Sequence, residues 1–296
     1  MPIEPLQRGL WGVLATPFHG DDLAIDEEAL RRQVHLHQAA GSIGLVALGV
    51  FGESARLSRE ERHRVVEIVS REAPDLPLVI GIAERETREV IDAARDLLAA
   101  SETASNSLML QVPTSDPQAL TDHLQAVHDA TGAGVVVQDY PVVSGVTIAP
   151  SELLSAIIGC AFVVAVKSEA PPTSAAIAEL TAGTDVPVFG GLGGIGLLDE
   201  LMAGAAGAMT GFSYPEGLAA TVNAWFDHGY AAARQAFLPW LPLINFEAQP
   251  RIGLAIRKAS LNHRGIFSSP APRPPAAAMP ARLAPLLREH LEALPS

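Results

Sequence analysis

Phe162-Val163-Val164-Ala165-Val166-Lys167-Ser168-Glu169-Ala170-Pro171-Pro172 joins five apolar residues to a lysine and closes on two prolines. A run this short, apolar at every position and rich in β-branched residues reads as a strand buried on both faces, as in a parallel sheet covered by helices. Proline ends it, because it cannot donate to a sheet ladder. The lysine stands out for a second reason. Of the twenty Lys and Arg residues only two are lysines, Lys167 and Lys258. An amine can lose its proton when desolvated and attack a carbonyl, whereas a guanidinium stays charged. Taken alone, Lys167 is equally a side chain snorkelling from a strand end or an ion-pair partner of Glu169.

Working outward, the same kind of run recurs along the chain at residues 11–18, 44–49, 78–83, 107–112, 134–138, 186–190 and 206–210, which with 162–167 makes eight. Helical periodicity fills the gaps at residues 25–40, with Asp26 as N-cap, and at 58–72, 87–100, 117–131, 150–158, 174–182 and 197–203. Eight strand–helix units in this order predict an α/β fold, a closed (β/α)8 TIM barrel, over an open doubly wound sheet with fewer strands. Beyond them the pattern becomes helical at 218–238, 241–262 and 283–293, around a Pro-rich segment at 270–275. We therefore expect residues 1–216 to form the barrel and 217–296 a C-terminal helical extension packed on it, as one domain.

Composition excludes several classes. A net charge of −13 with no basic stripe argues against nucleic acid, whose binding requires clustered Lys and Arg. No apolar run approaches the length of a membrane span. The first eight residues lack a signal-peptide pattern, and a single cysteine, Cys160, cannot form an internal disulfide, so a reducing cytoplasm is expected. Cys160 reads as a packing residue. Lys258, following Arg257 in a mixed-charge helix, reads as part of a solvated face.

Active sites of such barrels lie at the C-terminal ends of the strands. Those ends supply Thr16, the turn Gly49 to Ser54 with Val50 and Phe51 at its tip, Gln111, Gln138 and Tyr140, Lys167 and Glu169, and the cluster Gly190-Gly191-Leu192-Gly193-Gly194. Gly191, Gly193 and Gly196 match G-x-G-x-x-G, but on the seventh strand and without the acidic residue that would hold a ribose. The readings kept for this loop are a tight turn, or backbone N–H groups of Gly190, Gly191 and Leu192 offered to a substrate anion. His35 and His37 alternate on a helix and cannot chelate together; the pairs Asp21/Asp22 and Glu60/Glu61 suit a turn and a helix start. Neither a metal nor a cofactor is expected.

With these motifs placed, the chain resembles the dihydrodipicolinate synthase and N-acetylneuraminate lyase superfamily, class I aldolases that act through a Schiff base. Ala15-Thr16-Pro17-Phe18 resembles its A-x-T-P-F strand end. Gly49-Val50-Phe51-Gly52-Glu53, followed by Leu57-Ser58 and Glu61-Arg62, resembles its G-T-T-G-E loop and next helix. Val166-Lys167 falls where its imine-forming lysine stands on strand six. The resemblance implies that Lys167 attacks a 2-oxo acid, that Thr16, Val50, Phe51, Glu169, Gly190, Gly191 and Leu192 bind it, and that the chain forms a homodimer or homotetramer. The pattern also departs from the family. Val50 and Phe51 stand where the family offers two hydroxyls, leaving only backbone N–H groups for a substrate carboxylate. Gln138 takes the place of the proton-shuttling tyrosine, with Tyr140 two residues on as substitute, and Pro113-Thr114-Ser115 lacks the tyrosine usual after strand four.

The resulting expectation is a lyase or aldolase of a pyruvate-type 2-oxo acid, other than dihydrodipicolinate synthase itself. Lys167 would be the nucleophile, and Tyr140 or Gln138, with Glu169, would position protons. Two alternatives remain: an imine-dependent dehydratase or hydratase of a sugar-derived 2-oxo acid, and a non-catalytic, regulatory binding barrel.

Overall fold

The computed structural model describes residues 3–103 and 105–295; the outer ends of the two expected segments and the first two residues of the signal-peptide window lie outside them. Eight parallel strands close into a barrel: β1 Gly9–Val13, β2 Gly44–Ala47, β3 Leu78–Gly81, β4 Asn106–Gln111, β5 Gly134–Asp139, β6 Val163–Ser168, β7 Val188–Gly190 and β8 Gly207–Thr210. Closure is made by β1, which pairs with β8 through Gly9↔Gly207 and with β2 through Trp11↔Gly44. Gly44 is required there, since an added Cβ would overlap the Trp11 ring. The expected (β/α)8 architecture is thus observed. A two-residue ribbon, Phe18–His19 with Ala24–Ile25, decorates the first loop.

Between the strands run α1 Glu27–Ala39, α2 Arg59–Glu72, α3 Thr87–Ala100, α4 Pro117–Thr131, the short α5 Pro141–Ser144, α6 Pro150–Ile157, α7 Thr173–Gly183 and α8 Leu197–Met202. Their starts follow local chemistry. Asp26 accepts from the Ala29 N–H at 3.0 Å, and Ser58 with Glu61 forms a reciprocal capping box at α2. Apolar helix faces cover the outside of the strands, while Trp11, Val46, Val79, Met109, Phe189 and Met209 fill the interior, Trp11 meeting Phe189 edge-on at 6.5 Å.

One irregularity decides the mouth. The pairing of β5 with β6 shifts between Val135↔Val163 and Val136↔Ala165, so Val164 is an extra residue. At this bulge Val164 and Ala165 both enter the interior cluster, while Val163 and Val166 face the helix layer. Lys167 consequently turns inward beside Gln138, its register partner. Without the bulge, strict alternation from Val164 would turn Ser168 inward and Lys167 out.

The C-terminal helices are α9 Pro215–His228, α10 Tyr230–Phe237, α11 Leu241–Glu247, α12 Gly253–His263 and α13 Ala284–Glu292. Two spans read as continuous from periodicity are therefore broken. Gly229, at φ 78°, separates α9 from α10, and the segment 248–252, containing Pro250, separates α11 from α12. The solvated reading of Lys258 is also corrected: its side chain is fully buried and pairs with Glu53, donates to Ala271 O at 3.2 Å, and lies over the Phe18 ring. The Pro-rich segment is a strap across the barrel top. Arg273 grips Glu61 through two bonds of 2.7 Å, donates to Leu23 O, and its backbone N–H donates to Glu53 at 2.9 Å. No helix among the described residues is long and apolar enough to cross a membrane.

Candidate active site

Lys167 is the last residue but one of β6, and its Nζ stands 3.1 Å from Glu169 Oε2. The same oxygen accepts from Gln138 Nε2 at 2.6 Å, and Glu169 Oε1 accepts from the Leu192 N–H at 3.1 Å. One carboxylate thus gathers the amine, the amide and the strand-seven loop. All three side chains are buried yet line a cleft of about 700 Å³ at the barrel mouth. Glu169 Oε2 is thus shared between Nζ and the Gln138 amide, which fixes the carboxylate beside the lysine.

The glycine cluster now has a physical reason. An added Cβ at Gly190 would overlap Glu200, at Gly191 would overlap Glu169, and at Gly193 would overlap Arg257. Glycine is needed because three charged side chains approach the backbone closely. Part of the loop is turned to the protein itself: the Leu192 N–H donates to Glu169, and the Gly193 N–H donates to Thr210 Oγ1 at 2.7 Å. Gly190 and Gly191 make room for carboxylates of the protein itself. Thr16, expected against substrate, instead donates to Gly52 O at 2.6 Å and braces the turn that carries Val50 and Phe51. Among the described residues no backbone oxygen accepts from the N–H of Val50 or Phe51. Glu53, left-handed at φ 58°, drops from that turn onto Lys258.

Tyr140 leaves the strand: β5 stops at Asp139, and Tyr140 begins α5 with its side chain on the cleft. Burial raises its phenol, as does the charge of Glu169, while Arg257 opposes the shift. Two further carboxyls feel Glu169. Burial pushes Asp139 up to about 6 and Glu200 up to about 7, with Glu169 adding to both. Glu200 accepts from Thr173 Oγ1 at 2.8 Å, leaving Oε2 unpartnered. A second chamber of about 250 Å³, lined by Gly81, Arg85, Met109 and Gln111, shares Val50, Arg56 and Gln138 with the cleft.

Asp139, Glu200 and Arg257 were not singled out from sequence. Glu200 and Arg257 sit on helices whose periodicity gives no hint of a site, and the clue lay in the glycines they require. Cys160 is buried, its Sγ 3.6 Å from Ala156 O, and serves packing. Among the described residues no group of three or more His, Cys, Asp or Glu side chains is arranged for a metal.

Fold and mouth together define a (β/α)8 lyase with a lysine at the end of its sixth strand. The sequence profile of the Dihydrodipicolinate synthetase family matches residues 6–294, and the chain belongs to that family. It is similar to the 4-hydroxy-tetrahydrodipicolinate synthase of Methanothrix thermoacetophila, at 30% identity over 80% of each chain. It is equally similar to the L-2-keto-3-deoxyarabonate dehydratase of Azospirillum brasilense, at 30% identity over 92% of this chain and 89% of that one. The crystal structure of dihydrodipicolinate synthase from Rhodopseudomonas palustris superposes with a TM-score of 0.89 and 27% identity, covering 98% of this chain and 100% of the other.

Proposed function

We propose that the chain is a Schiff-base-forming lyase of a pyruvate-type 2-oxo acid, with Lys167 as nucleophile. The observation that carries this reading is the Lys167–Glu169–Gln138 cluster at the mouth of the cleft. Glu169 takes a proton from Nζ, and the neutral amine adds to the ketone carbon. The carbinolamine oxygen, once protonated, leaves as water, and the protonated imine remains. When a neighbouring C–C bond breaks, its electron pair flows to the imine nitrogen and an enamine forms. Tyr140, with its phenol on the cleft, is the group we assign to moving a proton to or from the departing oxygen, and Gln138 keeps Glu169 aligned.

A second reading, C–O cleavage of a sugar-derived 2-oxo acid by the same imine, is favoured by the similarity to a dehydratase over 92% of the chain. The apolar tip Val50-Phe51 and Gln138 in the tyrosine's place support a substrate other than that of the synthases, so no 4-hydroxy-tetrahydrodipicolinate should form. The proposal includes a cytoplasmic homodimer or homotetramer, for which a monomer mass by light scattering would be a refutation. It also treats 1–216 and 217–296 as one folding unit, a view supported by the Lys258 and Arg273 contacts across the boundary.

The test is borohydride reduction with pyruvate and a panel of 2-oxo acids, read by intact mass and peptide mapping. The expected result is one adduct on Lys167, absent from Lys167→Ala. No adduct with any acid, or one that survives the substitution, removes the imine mechanism.

A further inference from the structure

Arg257 reaches the mouth from α12, a helix of the extension, and its surroundings are unusual for a buried arginine. The side chain is only 14% exposed, yet its guanidinium makes no hydrogen bond to any described residue. Nε is buried without an acceptor, and Glu247 Oε2, at 3.6 Å, stands beyond hydrogen-bond reach. The guanidinium lies over the Phe51 ring, 5.4 Å from its centroid, and lines the cleft that holds Lys167. Gly193 is glycine where any Cβ would strike Nη2. A planar fork of five donors, mostly buried, ion-paired at 3.6 Å but without a hydrogen bond, costs stability unless something accepts from it.

Glu247 balances the charge of Arg257, but neither nearby carboxylate accepts a hydrogen bond from it. Glu247 is turned to Ser213, taking both its hydroxyl and its backbone N–H. Glu169 is engaged by Lys167, Gln138 and Leu192. A second donor set without a hydrogen-bond acceptor belongs to residues that line the same cleft, the N–H groups of Val50 and Phe51. Two donor sets with hydrogen-bonding capacity to spare, on residues that line the cleft of one amine, suit a ligand with an acidic group at each end and a carbonyl beside one of them.

We propose that Arg257 receives the distal carboxylate of a 2-oxo dicarboxylic acid, while the C1 carboxylate takes the N–H groups of the Val50-Phe51 turn. This rests on the 2-oxo acid reading of the site and narrows it to diacids. Arg257 is then a specificity-determining residue supplied by the extension. Bidentate pairing of guanidinium with carboxylate gives the geometry, and the Phe51 ring fixes the plane of the fork.

The experiment is calorimetric titration of the full chain with 2-oxoglutarate and 2-oxoadipate against 2-oxopentanoate and 2-oxohexanoate, matched in chain length. The diacid is expected to bind about ten- to a hundredfold more tightly, the worth of a charge-assisted bidentate contact. In Arg257→Gln the ratio should fall to about one, and in Arg257→Lys to an intermediate value. If Arg257→Gln leaves Glu247 unbalanced and does not fold, Arg257→Lys keeps the charge and carries the comparison. Equal affinities in the wild type, or a ratio that survives in Arg257→Gln or is undiminished in Arg257→Lys, overturns the assignment. Borohydride trapping on the same samples separates the two questions: no adduct alongside an intact diacid preference removes the imine and leaves the anion receptor standing.

Discussion

The chain's two lysines sit in two pockets built from the same parts and serve opposite ends. Lys167 and Lys258 are both buried, and each faces a glutamate. Lys258 is sealed: Glu53, Ala271 O and the face of Phe18 occupy its surroundings, and burial draws its ammonium down to about 8 although Glu53 pulls the other way. Lys167 has Glu169 on one side and an open cleft on the other. What separates a strut from the proposed nucleophile here is access to a cavity, not burial and not the presence of a counter-charge. The two are also coupled, because Glu53 hangs from the turn whose tip, Val50-Phe51, borders the cleft.

The largest effect expected from breaking this contrast is the exchange of phenotypes. Lys167→Ala abolishes adduct formation, as stated above. Lys258→Met leaves Lys167 able to form the adduct but destabilises the fold by about 3 kcal/mol, because Glu53 keeps a buried charge with only Arg56 and the Arg273 N–H to answer it. Urea denaturation measures the loss, and the double variant Glu53→Gln/Lys258→Met should recover most of it. A Lys258→Met protein as stable as the wild type would mean that the pair is no strut.

A smaller effect sharpens the open pocket. Glu169→Gln keeps the hydrogen-bonding shape but removes the proton acceptor, so the rate of borohydride trapping should fall about ten- to a hundredfold with the urea midpoint nearly unchanged. A trapping rate equal to that of the wild type would take Glu169 out of proton transfer.

The smallest effect concerns Glu200, packed against Gly190 at the end of β7. Glu200 is raised from 4.5 to about 7, so its contribution favours the fold fully below pH 4.5 and is lost as pH rises through 7. Glutamine does not titrate, so Glu200→Gln should gain on the wild type between pH 5 and pH 8, by on the order of 2 kcal/mol. Equal differences in Tm at the two pH values would show that Glu200 stays ionised.

Much of this was legible from sequence, and for identifiable reasons. Eight apolar runs, each followed by a helix, specify a barrel because parallel strands must be covered on the outside and filled within. Helix starts at Asp26 and Ser58 were readable because capping is local. Lys167 and Glu169 emerged from strand order. Lys258 was misread because its partner lies 205 residues upstream, and a mixed-charge helix offers no local sign of such a pairing. Arg257 was passed over for the same reason. The glycine cluster was seen, but its purpose was not: spacing cannot tell an N–H offered to a ligand from a gap left for Glu169, Glu200 and Arg257. Gly229 and Pro250 broke helices that periodicity had drawn as continuous, a case of backbone geometry outweighing side-chain pattern.

The extra residue at Val164 makes the chemistry depend on counting as well as on identity. Deleting Val164 alone would place Val163, facing out, next to Ala165, facing in, and so keep Lys167 inward opposite Gln138, whereas losing a second residue between Val163 and Lys167 would turn the lysine to the helix layer. The inward lysine of this barrel thus survives the loss of the spare residue but not the loss of one more, a change that leaves every other letter of the protein in place. A comparison of relatives that asks only whether a lysine aligns at this column would miss such a loss, whereas the length of the run between Pro141 and Lys167 would record it.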